Sequence, residues 1–342
     1  MANDTPEKKL ILVIGATGAQ GLAVIDGLLK PSADGSPSPY TIRALTRSPE
    51  STRAKELANR GVQVFKGSVD DFNSILAALE GVYGAYVNTD SFTIGEMKEV
   101  YYGMRIFELA KQVGTLKHYV WSALDYSFKL GGYNPTYRAE HYDAKGRIND
   151  WLRAQPHAQQ LYVWTVEQAG GRNLRLRRPH GQWPRPDDLA LRRRFFARYI
   201  FEHRESTSAQ ELEVASDWVD WPYLVSTFTK VTGKPAVYLP LSMDEWFGLW
   251  NQDDIKLPVM NTKRVADGST TWEQNFRCWW AQYRDDIVKR DFEWIRKLHP
   301  GGHTLESWMR ETGYDGDLLK NPLKNVEDGK FPRLELSLAQ KL

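Results

Sequence analysis

The first periodic feature of the chain is the wholly apolar, β-branched run Leu10-Ile11-Leu12-Val13-Ile14, the pattern of a strand buried on both faces of a parallel sheet. Seven residues from Gly15 to Gly21 follow, and then Leu22, Ala23, Val24, Ile25, Leu28 and Leu29 recur at helical spacing. A Pro- and Ser-rich excursion over 31–39 precedes a second strand over 40–45. The alternation continues with helices predicted over 51–60, 71–79, 96–113 and 137–154, and strands over 62–65, 83–87 and 118–121. Strands and helices in this alternation predict an α/β fold, a Rossmann-type doubly wound parallel sheet built through right-handed crossovers. A smaller C-terminal α+β portion is expected from helices over 195–203, 222–232, 242–250, 272–286 and 305–312, with strands over 212–214 and 236–239. The domain reading is therefore 1–155 for the nucleotide-binding domain, 156–194 for an irregular interval, 195–320 for the C-terminal portion and 321–342 for a polar tail.

Composition narrows the partners. The 342 residues carry a formal net charge of +2, so no global field draws in nucleic acid or an anionic membrane. No stretch approaches the ~18 apolar residues of a membrane helix, and the N-terminus has no apolar leader. The chain is expected in the cytosol, with the nucleus also open to it. A lone cysteine, Cys278, excludes an internal disulfide and a Cys-based zinc cluster and reads as a packed helix residue.

The chemistry is concentrated in Gly15-Ala16-Thr17-Gly18-Ala19-Gln20-Gly21, set between a strand and a helix. Gly15 permits a tight turn, Gly18 lets backbone approach a pyrophosphate, and Gly21 lets the helix pack on the sheet. The first N–H groups of that helix, with its macrodipole, then hold phosphates. Where an NAD site commonly has an acid, at the end of the second strand, Arg43-Ala44-Leu45-Thr46-Arg47 supplies arginines instead. A guanidinium suits a 2′-phosphate, so NADP(H) is the cofactor expected, with Arg43 and Arg47 as ligands. Asp70 and Asp71 follow the third strand near the adenine position; Asp70 serves there or as the cap of the next helix. Thr17, Ala19, Gln20, Asn88, Thr89 and Lys145 complete the cofactor set.

The glycine turn, the segment Arg43 to Arg47, the segment His141-Tyr142-Asp143-Ala144-Lys145-Gly146, and 238–246 with 298–308 further on together resemble the NmrA-like family, atypical relatives of the short-chain dehydrogenases. The resemblance runs over most of the chain. It implies an NADP(H)-binding protein that is either a reductase or a sensor of the NADPH/NADP⁺ ratio acting on a regulated protein partner. Ordinary short-chain dehydrogenases carry Tyr-x-x-x-Lys, where the lysine tunes a tyrosine acid. Here His141 stands four residues before Lys145, and Tyr142 is about 100° round the helix from it. The catalytic candidates are Lys145 as acid or base in a Tyr-x-x-Lys arrangement like that of isoflavone-reductase-like relatives, His141 titrating near neutrality, and Ser122 as a substrate-polarising hydroxyl. Against these stands Lys145 as no more than a ribose ligand. A small carbonyl or enone is the substrate class expected, and a homodimer is an open arrangement.

From Pro156 to Arg194 the periodicity fails, and eight arginines crowd among prolines. A nucleic-acid patch is disfavoured because the arginines follow no helix face. A solvated loop and a stretch translated in a shifted reading frame remain, the second favoured because the family likeness stops near Arg153 and resumes near Phe195.

Overall fold

The computed structural model describes residues 7–155, 163–168, 187–258, 270–315 and 332–339. Its strands are β1 (Lys9–Ile14), β2 (Tyr40–Thr46), β3 (Gln63–Lys66), β4 (Gly84–Val87), β5 (His118–Trp121), β6 (Val163–Gln168) and β7 (Glu211–Val214). They form one sheet in the order β3-β2-β1-β4-β5-β6-β7, with every pairing parallel. The order reverses between β1 and β4, and a doubly wound sheet opens its ligand crevice there, outside the carboxyl ends of the strands.

Helices seal both faces, which is why the central strands are apolar without alternation. The connecting helices are α1 (Ala19–Leu29), α2 (Thr52–Asn59), α3 (Phe72–Leu79), α4 (Ser91–Ile94), α5 (Glu96–Ala110), α6 (Glu140–Arg153) and α7 (Asp187–Glu202). On one face Val24, Ile25 and Leu28 of α1 pack with Ala197, Ile200 and Phe201 of α7. Gly27 lets these two helices touch, since a Cβ there would lie 2.2 Å from the Arg194 carbonyl oxygen. On the other face Ile75, Ile106, Phe107, Ile148 and Leu152 cover Leu12, Ala85 and Trp121.

Three expectations change. The strand expected over 212–214 and the helix over 195–203 join the Rossmann sheet and its cover, not the smaller portion. Within 156–194, β6 pairs with β5 and β7 and α7 begins at Asp187, so the interval holds order that its arginines and prolines obscured. The remainder, 156–162 and 169–186, and the frame question attached to it lie outside the described residues. The run over 236–239 forms no strand: Val237 is 53% exposed, Pro235 and Pro240 flank it, and no sheet edge receives it.

Further helices are α8 (Trp221–Thr232), α9 (Met243–Phe247), α10 (Trp272–Arg284), α11 (Phe292–Leu298) and α12 (Leu305–Thr312). Phe247, Trp250, Trp272, Phe276 and Trp280 build an aromatic core that also packs against Phe92 of α4, so the C-terminal portion closes on the crevice side of the sheet. Part of the expected polar tail returns to this core: Arg333 pairs with Asp254, and Leu334 bridges to Trp250. Among the described residues no helix is long and apolar enough to cross a membrane.

Candidate functional site

The glycine turn sits at the switch point. Gly15 has φ +80°, and a Cβ on it would lie 2.7 Å from the Asn88 carbonyl oxygen, so the end of β1 closes directly on the end of β4. Gly21 is tighter still, with a hypothetical Cβ 2.3 Å from the Gly15 carbonyl oxygen. Gly18 is the N-cap of α1 and offers no side-chain cap, whereas α2 and α3 are capped by Ser51 and Asp71. The 11-residue α1 therefore presents its first N–H groups, on Ala19 and Gln20, to the crevice without a competing side chain. Thr17 contributes its carbonyl to the Arg53 guanidinium, 3.0 Å away, which ties the turn to α2.

At the tip of β2 Arg47 is exposed and makes no side-chain hydrogen bond or ion pair among the described residues. Arg43 is different. It lies in mid-strand, paired in register with Leu12 and Gln63, and its guanidinium donates to Gln63 Oε1 at 2.8 Å and to the Ala78 and Glu80 carbonyls at 2.7 Å. Those carbonyls end α3, so Arg43 closes a helix C-terminus and does not reach the crevice. Burial holds its pKa below the ordinary arginine value. The expected helix cap also moves by one residue: Asp71 caps α3 by accepting from Ser74 N at 3.2 Å, and Asp70 accepts from the Ser68 hydroxyl.

Lys145, on α6, meets the ends of β4 and β5. Its Nζ is 2.9 Å from the Thr89 carbonyl oxygen, 3.1 Å from Asn88 Oδ1, 3.3 Å from Thr89 Oγ1 and 3.1 Å from Glu99 Oε1. Glu99 of α5 is sealed from solvent and also accepts from the Thr89 and Ser91 hydroxyls. An ammonium has three donors, and all three have partners here. The sequence reading placed Asn88, Thr89 and Lys145 together but missed Glu99, one of three acids on α5 with no local signal to single it out. Ser122, directly after β5, donates to Gln20 Oε1 at 2.9 Å and so links the start of α1 to the far side of the switch point.

The other two candidates are not the titrating acids expected of them. The Tyr142 hydroxyl lies 2.9 Å from that of Tyr283 on α10, and burial, with the charge of Asp125 acting the same way, pushes it up to about 12. Facing the C-terminal portion, it is not an acid for the crevice. His141 is enclosed by Phe92, Phe276 and Tyr142, at ring-centroid distances of 5.0, 5.5 and 4.9 Å. Burial holds it down to about 4, so it stays neutral where the sequence reading had it titrating. Asn275, whose amide contacts its Nδ1, was also missed, because it comes from a segment 134 residues away. Among the described residues no cluster of His, Cys, Asp and Glu is arranged to hold a metal ion.

The sequence model of the NmrA-like family matches residues 7–180. The chain is 28% identical over 304 residues to the NmrA-like family domain-containing oxidoreductase notA' of Aspergillus versicolor, covering 79% of each chain. Its fold is similar to that of NmrA, a negative transcriptional regulator, in complex with NADP, with a TM-score of 0.57 and 19% identity over 90% of this chain and 95% of that one. It is likewise similar to an NADPH-dependent quinone oxidoreductase of Escherichia coli, with a TM-score of 0.57 and 16% identity over 89% of this chain and 99% of that one. The uncapped glycine turn at the switch point and these likenesses agree, and the chain belongs to the NmrA-like family.

Proposed function

We propose that the chain is an NADP(H)-dependent oxidoreductase acting on a small organic carbonyl or enone. The observation that carries this reading is the start of α1: a helix N-terminus at the switch point, left uncapped and lined by glycines a Cβ would crowd. That geometry fits a diphosphate, which takes the N–H groups of Ala19 and Gln20. Arg47 supplies a guanidinium to a 2′-phosphate one strand away, with no acid at the β2 tip to favour a free ribose hydroxyl. A bound nicotinamide supplies or accepts hydride. The residues of the chain position it: Lys145, fixed by Glu99, Asn88 and Thr89, sets a cation beside the ribose end, and Ser122 and Gln20 place a hydroxyl across the opening.

Support for the redox chemistry comes from the relative in Aspergillus versicolor, described as an oxidoreductase. A second reading, a sensor of cofactor state that regulates a partner protein, is favoured by one observation: Lys145 has spent its donors and Tyr142 faces away from the crevice. NADPH consumption followed by stopped flow across a panel of carbonyls and enones separates the two. Turnover that Lys145→Ala abolishes supports the enzyme. No turnover by cofactor-loaded protein, with a proteolysis pattern that differs between NADP⁺ and NADPH, supports the sensor.

A further inference from the structure

Asn275 of α10 is sealed from solvent, and its carboxamide spans two partners on α6. Its Oδ1 accepts from the Glu140 backbone N–H at 2.8 Å. A backbone N–H can only donate, so the oxygen of the amide must face it, and this settles which way the amide points. Nδ2 then lies 3.0 Å from His141 Nδ1, which is 3.3 Å from Oδ1. An amide nitrogen can only donate, and Oδ1 is already engaged by the Glu140 N–H, so the shorter contact makes Nδ1 the acceptor and puts the imidazole proton on Nε2.

We propose that Asn275 is a positioning residue that holds His141 as the neutral Nε2–H tautomer, so that the place four residues before Lys145 presents a hydrogen-bond donor to a carbonyl oxygen instead of a titrating acid. Use of that donor on a substrate rests on the oxidoreductase reading; the tautomer itself does not. The surroundings agree. Phe92 of α4, Phe276 of α10 and Tyr142 of α6 pack on the ring. The nearby charges are Lys145, one turn on, and Glu99, which reaches this region through Ser91, whose hydroxyl donates to Glu99 and lies 3.5 Å from the His141 carbonyl oxygen. Glu140, the neighbouring acid, accepts from Thr270 N at 2.9 Å. Among the described residues no carboxylate accepts from the imidazole that would stabilise its charged form. Both ring nitrogens of His118 are sealed off without partners, whereas His141 has a partner at Nδ1.

The test is two-bond proton–nitrogen correlation NMR on the full chain carrying ¹⁵N-histidine, with the His141 signals identified by their loss in His141→Gln. Wild type is expected to show an unprotonated Nδ1, a protonated Nε2 and no titration of His141 from about pH 5.5 to 8. In Asn275→Asp a carboxylate replaces the donor, so the proton should move to Nδ1 and the pKa rise by about two units. A wild-type Nδ1–H tautomer, or wild-type titration near the ordinary histidine value, overturns the proposal whatever the variant does. NADP⁺ added to the same sample keeps the two ideas apart. Binding to a chain with Nδ1–H overturns the tautomer alone, and failure to bind with Nε2–H in place supports the tautomer while overturning the functional reading.

Discussion

At the scale of single residues, the glycines of the turn divide into those that serve folding and the one that serves binding. A Cβ on Gly21 would lie 2.3 Å from the Gly15 carbonyl oxygen and 2.6 Å from Ala16 Cα, both backbone atoms that cannot swing aside. Gly21→Ala should therefore lose about 2 kcal/mol or more of unfolding free energy, read from urea midpoints. Gly18 meets only the Gly15 carbonyl oxygen, at 3.3 Å, so Gly18→Ala should stay within about 1 kcal/mol of wild type. Its methyl group points a carbon at the phosphate approach, and NADP(H) affinity measured by calorimetry should fall. Unchanged affinity in a folded Gly18→Ala chain would show that no diphosphate lies there. The arginines show where residue-level reading succeeds and where it stops. Arg47 falls at the strand tip as the pattern of Thr41 to Ser48 predicts, whereas Arg43, four residues earlier, is diverted to the end of α3 by carbonyls that sequence spacing does not reveal.

Among the elements, the central strands were legible because they are buried on both faces and read as unbroken apolar runs. β6 was not: Val163-Trp164-Thr165-Val166 has the right residue types, but it is short and is followed by the arginine-rich stretch that begins at Arg172, and its two neighbours in the sheet come from 118–121 and 211–214. The opposite error arose at 236–239, where a β-like composition has no edge to pair with. Site residues on strand ends were legible for the same topological reason, while Glu99 and Asn275 were not, since each acquires its role from a different helix. The Lys145–Glu99 pair is buried, with side-chain exposures of 7% and 0%. Glu99→Gln leaves the ammonium without its counter-charge and should cost about 3–5 kcal/mol. Adding Lys145→Met to Glu99→Gln should recover part of that loss, and additive losses in urea unfolding would mean that the two groups do not interact.

For the molecule as a whole, burial of titratable groups sets the pH window. His118 is held down to about 3 by burial, with the charges of Arg204 and Lys9 adding to it, and His141 to about 4. Both are lowered, so the unfolded chain takes up protons first on acidification. Their contribution to stability is fully present above the unfolded histidine value and drains away as pH falls. Asp143 works in the other direction. Burial raises it to about 7, so its contribution is present in acid and lost as pH rises through that value. From pH 6.5 to 5 a single such histidine withdraws about 2 kcal/mol. His118→Phe, which keeps a ring against Phe201 and removes two partnerless nitrogens, should lose about 2 kcal/mol less than wild type over that interval. Equal pH dependence of the two proteins in urea unfolding would contradict the burial of a neutral His118.

The central claim is that a dinucleotide with a 2′-phosphate lies across the start of α1 with Arg47 beside it, and isothermal calorimetry of the folded chain tests it most directly. Binding of NADP⁺ and NADPH should be saturable, and Arg47→Ala should weaken it by roughly 10- to 100-fold, the worth of a charge-assisted hydrogen-bonded pair, while leaving NAD⁺ affinity unchanged. Folded protein that takes up neither NADP⁺ nor NADPH at millimolar concentration, or an Arg47→Ala variant that binds them as tightly as wild type, would contradict the account.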